Sequence, residues 1–171
     1  MSTNWKVRLP ITALTLSAAA FSAWKMHEGY SDVAIIPVQG DVPTLGHGST
    51  RYEDGTRVKM GDRITPERAE ILARNLLKED ERLFVASIPN AHLTQGEFDV
   101  YMDFIGQYGI GAWNKSSMRK HINAGSYYAA CKSLLKYRFV AGYDCSTPFN
   151  KRCPGVWSRQ LDRFNQCYLS Q

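Results

Sequence analysis

Two carboxylates in the first quarter of the chain are the residues best suited to chemistry. Glu28 follows an uncharged stretch, Leu9–Trp24, and Asp41 lies further on, among turn residues. Cleavage of a glycosidic bond needs one carboxylic acid to protonate the leaving oxygen and one carboxylate to activate water or stabilise the cationic sugar. A glutamate at a helix end that faces an aspartate of a hairpin meets that need. The chain has 16 acidic residues, most of which belong on a solvated surface, so the pair is a hypothesis that its surroundings must support.

Other catalytic patterns find little support. His27 and Glu28 begin the H-E-x-x-H pattern of zinc proteases, but Ser31 stands where the second histidine is needed. The G-x-S-x-G signature of a serine nucleophile does not occur. The other histidines are scattered, which is typical of surface or packed histidines: His47, His92 and His121. We therefore expect no metal and no other cofactor.

The charge of the chain favours an anionic partner. With 171 residues, 44% of them hydrophobic, the chain can form one compact domain with an N-terminal extension. Its formal net charge of +5 suits nucleic acid, a membrane surface or an acidic polymer such as bacterial cell wall. The basic residues form no run and no nucleic-acid module is recognisable, so we expect no nucleic acid as partner.

The uncharged stretch Leu9–Trp24 is a weak membrane segment. Lys6 and Arg8 precede it, as the positive-inside rule requires. As one helix it would span about 24 Å, less than the roughly 30 Å of a hydrocarbon core. Three interpretations follow: a signal peptide cleaved after Ala18-Ala19-Ala20, a permanent anchor, or an uncleaved signal anchor that later leaves the bilayer and packs onto the folded domain. We favour the third.

The rest of the chain predicts an α+β fold that is mostly helical, with a small antiparallel sheet near its N-terminal side. Val33–Met60 is rich in turn residues between short apolar runs, which indicates the sheet. Thr65-Pro66-Glu67 predicts a helix start, with an end near Phe84, and Thr94-Gln95-Gly96-Glu97 has capping-box spacing. Gly106–Trp113 indicates a break. Further helices are predicted over Ser116–His121, Tyr127–Tyr137 and Val156–Tyr168.

All four cysteines lie in the last quarter of the chain, at Cys131, Cys145, Cys153 and Cys167. Their spacing is not the paired C-x-x-C of a zinc site. Two disulfides in an oxidising compartment are favoured over four reduced core thiols, because the N-terminal segment supplies an export signal.

Several motifs, in consistent order from Lys25 to Cys167, resemble the phage lysozyme family of T4-type endolysins, glycoside hydrolase family 24. Together with the weak N-terminal helix, they resemble the signal-anchor-release endolysins of lambdoid phages. The resemblance rests on Glu28-Gly29, Thr44-Leu45-Gly46-His47-Gly48, Gly109-Ile110-Gly111-Ala112-Trp113, Ser116-Ser117-Met118, and Gly155-Val156-Trp157-Ser158-Arg159 with Cys167.

The resemblance implies a lysozyme-like fold and a muramidase that cleaves the β-1,4 bond between N-acetylmuramic acid and N-acetylglucosamine. Glu28 would be the general acid, Asp41 would position or deprotonate a water, and Thr44 would help to hold it. The family spacing E-x8-D-x5-T would place the last two at Pro37 and Pro43, so Thr44 implies a one-residue insertion. Asp32 is the alternative acid, and Gln107 would bind sugar near the helix break.

The expected organisation is a signal-anchor segment, 1–27, and a lysozyme-like domain, 28–171. We expect a monomer that associates transiently with the inner membrane through residues 9–24 and then acts on peptidoglycan in the periplasm. Activation by thiol exchange is not expected, because residues 1–130 contain no cysteine. The expected disulfides are Cys131–Cys167, which would link two helices, and Cys145–Cys153 across a short loop. A lytic transglycosylase and a non-catalytic wall-binding protein on the same fold are the alternative functions.

Overall fold

The computed structural model describes residues 6–37 and 39–171. Its elements confirm a mostly helical α+β fold with small antiparallel sheets. The helices are α1 (Ala18–Glu28), α2 (Pro66–Ser87), α3 (Gln95–Lys115), α4 (Ser117–Asn123), α5 (Tyr127–Ser133) and α6 (Pro154–Leu169), with 3-10 turns at Ile11–Ala13 and Leu134–Lys136. The strands are β1 (Leu9–Pro10), β2 (Ser31–Ile35), β3 (Thr44–Gly46), β4 (His92–Leu93), β5 (Phe139–Val140) and β6 (Tyr143–Asp144). They pair as β1 with β4, β2 with β3 and β5 with β6.

The described residues form two compact units. The first, here called the hairpin unit, comprises residues 17–83. The second, here called the helical unit, comprises residues 6–16 together with 84–171.

The hairpin unit is built on the β2–β3 pair and on α2. Ser31 pairs with Gly46 and Ile35 with Thr44, with an irregular register between the two pairs. The predicted sheet over Val33–Met60 is shorter than expected, because frequent glycines and turns interrupt the pairing and leave only isolated bridges beyond β3. The core consists of Ala34, Leu45, Val58, Ile64, Ala69 and Leu72.

The uncharged stretch Leu9–Trp24 does not form one continuous helix. Its first residues are extended in β1, and α1 begins only after Ser17, whose Oγ accepts a hydrogen bond from the backbone N–H of Ala20 at 3.1 Å. Pro10 has no N–H to donate and Ser17 is a good N-cap, so both favour this interruption. Among the described residues, no helix combines the length and apolar character needed to cross a membrane.

The helical unit has a core of aromatic side chains around α3. Trp113, Tyr101 and Phe84 are all buried, and the rings of Trp113 and Phe84 meet edge to face with centroids 4.9 Å apart. The predicted capping box is confirmed: Thr94 Oγ1 accepts from the Glu97 N–H at 3.1 Å, and Glu97 Oε2 accepts from the Thr94 N–H at 2.9 Å. The predicted break narrows to one non-helical residue, Gly109, inside α3.

Both expected disulfides are present. Cys131–Cys167 links α5 to α6 across 36 positions, and is called the long-loop disulfide below. Cys145–Cys153 spans 8 positions, and is called the short-loop disulfide.

Residues from the start of the chain are part of the helical unit's core. Ile11 and Leu14 are buried in it, and β1 pairs with β4. Arg8 donates a hydrogen bond to Glu97 Oε1 at 2.8 Å, and the Glu97 side chain is fully buried. Because an unpaired buried carboxylate is costly, Arg8 compensates a charge that the capping box places in the interior.

Candidate active site

Glu28 is the last residue of α1 and is partly buried. The helix ends there because Gly29 adopts a positive φ of 71°, a conformation that costs glycine little, and donates its N–H to the Lys25 carbonyl at 3.1 Å. The Glu28 side chain is therefore presented at a helix terminus, next to the strand that begins at Ser31.

Ionic contacts hold α1 on α2 within the hairpin unit. Lys25 Nζ donates to Glu70 Oε2 at 2.6 Å, and the guanidinium of Arg74 lies 4.0 Å from the ring centroid of Phe21. Hydrogen bonds from Lys25 and Arg74 lower the pKa of Glu70, because they stabilise its charged form. The helix that carries Glu28 is thus anchored one turn before its end.

A tight turn at the end of β3, residues 45–49, faces the Glu28 carboxylate. Leu45 and Ser49 exchange backbone hydrogen bonds of 2.9 and 3.0 Å, which close this 45–49 turn. A Cβ added at Gly48 would lie 3.5 Å from Glu28 Oε2. A methyl group at this position would make an ordinary van der Waals contact with the carboxylate, so the turn faces Glu28 at Gly48.

His47, in the middle of the same turn, contacts the residue that follows Glu28. Its Nδ1 donates a hydrogen bond to the Gly29 carbonyl. Its ring lies near the rings of Trp24 and Tyr30, with centroid separations of 6.5 and 5.7 Å. The sequence interpretation of His47 as a surface or packed histidine missed this contact, and the signal that could have found it is its position between the two glycines of the Thr44–Gly48 motif.

The other predicted residues of the hairpin unit lie on or near the β2–β3 pair. Thr44, partly buried, begins β3 and its Oγ1 donates to the Ile35 carbonyl at 3.4 Å. Asp41 is exposed in the loop before β3, where its Oδ1 accepts from the Val42 N–H at 2.8 Å. Asp32 is exposed on β2, 3.8 Å from the guanidinium of Arg63.

Gln107 belongs to the helical unit. It is exposed on α3, two residues before the kink at Gly109. In the part of the chain that the structure describes, no three His, Cys, Asp or Glu side chains are grouped so that they could hold a metal ion.

A partly buried glutamate ends the first helix, next to a small β-hairpin, and the chain also contains a helical unit. These features are typical of a lysozyme-type glycoside hydrolase. The phage lysozyme family profile matches residues 25–161. The chain belongs to the phage lysozyme family and is an enzyme of the glycoside hydrolase class.

Individual relatives agree with this assignment. The endolysin of Salmonella phage P22 is 29% identical over 134 residues, which cover 77% of this chain and 88% of that protein. The endolysin of Acyrthosiphon pisum secondary endosymbiont phage 1 is 30% identical over 117 residues, covering 68% and 73%. Among solved structures, the endolysin from Escherichia coli O157:H7 phage FAHEc1 superposes with a TM-score of 0.71 at 27% identity, covering 92% of this chain and 96% of that one.

Proposed function

We propose that this protein is an endolysin that hydrolyses the β-1,4 bond between N-acetylmuramic acid and N-acetylglucosamine in peptidoglycan and so lyses the host cell. The observation that carries the proposal is the Glu28 carboxylate, which lies against the glycine turn of the Thr44–Gly48 motif inside the family match. A carboxyl group that is partly withdrawn from water at a helix end is suited to donate a proton to a leaving oxygen.

In this mechanism Glu28 protonates the glycosidic oxygen as the bond to the anomeric carbon breaks. Asp41 orients or deprotonates a water that attacks the anomeric carbon, and Thr44 helps to hold that water. The exposure of Asp41 supports this role, because a base that activates water must be reachable by it. Asp32, on β2, lies 3.8 Å from the guanidinium of Arg63 and is the weaker candidate for the residue that activates water.

Gln107 is proposed to bind a sugar residue of the glycan. Its amide is exposed on α3 next to the kink at Gly109, so its donor and acceptor are both available to a carbohydrate. Gln107→Ala should raise the KM for peptidoglycan more than it lowers kcat.

A turbidity assay on permeabilised Gram-negative cells tests the catalytic assignment. Glu28→Gln should abolish lysis, and Asp41→Asn should lower the rate strongly while Asp32→Asn leaves it near wild type. A Glu28→Gln protein that lyses cells as fast as wild type would overturn the enzymatic mechanism. Mass spectrometry of the digested wall should find reducing ends, whereas anhydro-sugar ends would indicate a lytic transglycosylase instead.

We also propose that residues 1–27 act as a signal anchor for the enzyme domain, 28–171, and that residues 9–24 leave the inner membrane for the periplasm. The burial of Ile11 and Leu14 supports retention of this segment in the active enzyme. Cleavage after Ala20 would remove both side chains. Truncation of one large core residue lowers the free energy of unfolding by roughly 2–5 kcal/mol. It would also remove Arg8 from the buried Glu97 carboxylate.

Mass spectrometry of the active protein isolated from the periplasm tests this organisation. The expected mass includes residues 1–20, and a mature protein that begins at Phe21 would contradict retention. Fractionation before lysis should recover the same full-length chain from the inner membrane.

A further inference from the structure

The 45–49 turn contacts Glu28 from two directions. On one side, Gly48 faces the carboxylate, since a Cβ at this position would lie 3.5 Å from Glu28 Oε2. On the other side, His47 binds the carbonyl of Gly29, the residue directly after Glu28. One five-residue turn thus faces the side chain of the proposed acid and binds the backbone of the next residue.

The end of α1 needs such a contact. The last turn of a helix tends to fray, and the Gly29 carbonyl lies beyond the helix, where the helix itself supplies no N–H. Gly29 also has the widest backbone freedom of any residue type. Without an external partner, the direction of the Glu28 side chain would vary with the fraying of this terminus.

The chemistry of the contact defines the role of the histidine. A carbonyl only accepts hydrogen bonds, so Nδ1 of His47 must carry the proton. The ring also lies near those of Trp24, one helical turn before Glu28, and Tyr30. Tyr30 is in turn held by its hydroxyl, which donates to the Ile64 carbonyl at 3.0 Å.

We propose that His47 is a positioning residue for catalysis, whose Nδ1–H holds the Glu28-Gly29 terminus so that the Glu28 carboxyl group stays directed at the glycosidic oxygen. The inference rests on the proposed role of Glu28 as general acid. His47 itself transfers no proton to the substrate.

Two substitutions of His47 separate the effect of its hydrogen bond from the effect of its ring packing. His47→Phe keeps an aromatic ring between Trp24 and Tyr30 but has no donor. His47→Asn loses the ring but keeps a side-chain N–H at the same number of bonds from Cβ as Nδ1. His92→Phe is the matched control, because His92 is exposed on β4 in the helical unit.

Initial rates on purified peptidoglycan, measured as reducing ends released and corrected for the folded fraction by circular dichroism, give kcat and KM. His47→Phe should lower kcat about tenfold with KM within about twofold, because positioning of the acid is weakened while glycan binding is not. His47→Asn should recover kcat to within about threefold of wild type, and His92→Phe should leave both constants unchanged.

Wild-type kcat in His47→Phe, or equally slow His47→Phe and His47→Asn, would overturn the positioning role. A loss that appears only in KM would also overturn it. Glu28→Gln, assayed in parallel, keeps the two proposals apart: if it is inactive while His47→Phe has full kcat, only the positioning role fails. If Glu28→Gln is fully active, the proposed mechanism fails instead.

Discussion

Replacement of Gly46 by alanine should be among the most damaging substitutions in the hairpin unit. Gly46 has a φ of +63°, and a Cβ at this position would lie only 2.9 Å from Cβ of Ala69 on α2. The left-handed conformation costs a non-glycine residue roughly 1–2 kcal/mol. Overpacking a tight contact adds roughly 1–3 kcal/mol. Gly46→Ala should therefore lower the free energy of unfolding in urea by about 2–5 kcal/mol.

Gly55→Ala is the control that separates the two contributions. Its φ is +83°, but a Cβ there would have nothing within 4 Å, so only the conformational cost applies. Shortening Ala69 in the double variant Gly46→Ala/Ala69→Gly should relieve the contact, giving a favourable coupling of about 1–3 kcal/mol. If Gly46→Ala costs no more than Gly55→Ala, or if the coupling is zero, close packing on Ala69 is not the reason for this glycine.

Three further results are expected from urea unfolding. Arg8→Met should lower the free energy of unfolding by about 1–3 kcal/mol, and by less in a Glu97→Gln background, because the change leaves a buried carboxylate without a hydrogen-bond donor. Replacing both cysteines of the long-loop disulfide by serine should cost about 4 kcal/mol, against about 2.5 kcal/mol for the short-loop disulfide, in the chain-entropy model. Hydrogen bonds from Arg68 and Asn75 lower the pKa of Glu53 from 4.5 to about 2. The stability that these hydrogen bonds contribute is therefore present above pH 4.5 and lost as pH falls towards 2. Glu53→Gln should make the free energy of unfolding less dependent on pH in that range.

Local signals predicted the helices well, because capping is a short-range effect. The capping box at Thr94 and the Pro66 start both appear where the sequence indicates them. The predicted break at Gly106–Trp113 was too long, because the buried Trp113 keeps this part of α3 packed and only Gly109 leaves the helical conformation. The short sheet was also overestimated, since propensity does not report where turns end the pairing.

The candidate site was predictable only in part. Glu28 at a helix end and Thr44 on a strand follow from local patterns. The contact of His47 with the Gly29 carbonyl joins positions that are distant along the chain, and the glycines on either side of His47 indicate a tight turn without indicating its partner. Asp41 lies on a loop, where no period in the sequence predicts the direction of a side chain.

The polar residues that weaken the apolar character of Leu9–Trp24 make hydrogen bonds in the folded enzyme. These residues make the segment a poor membrane span, yet Ser17 caps α1 and the Thr15 carbonyl accepts a hydrogen bond from Gln95 at 2.8 Å. Two of its large apolar residues, Ile11 and Leu14, are buried in the core of the helical unit. A more apolar segment would stay in lipid more firmly, but it would lose these polar contacts. Under the proposed release from the membrane, the composition is therefore a compromise between two environments.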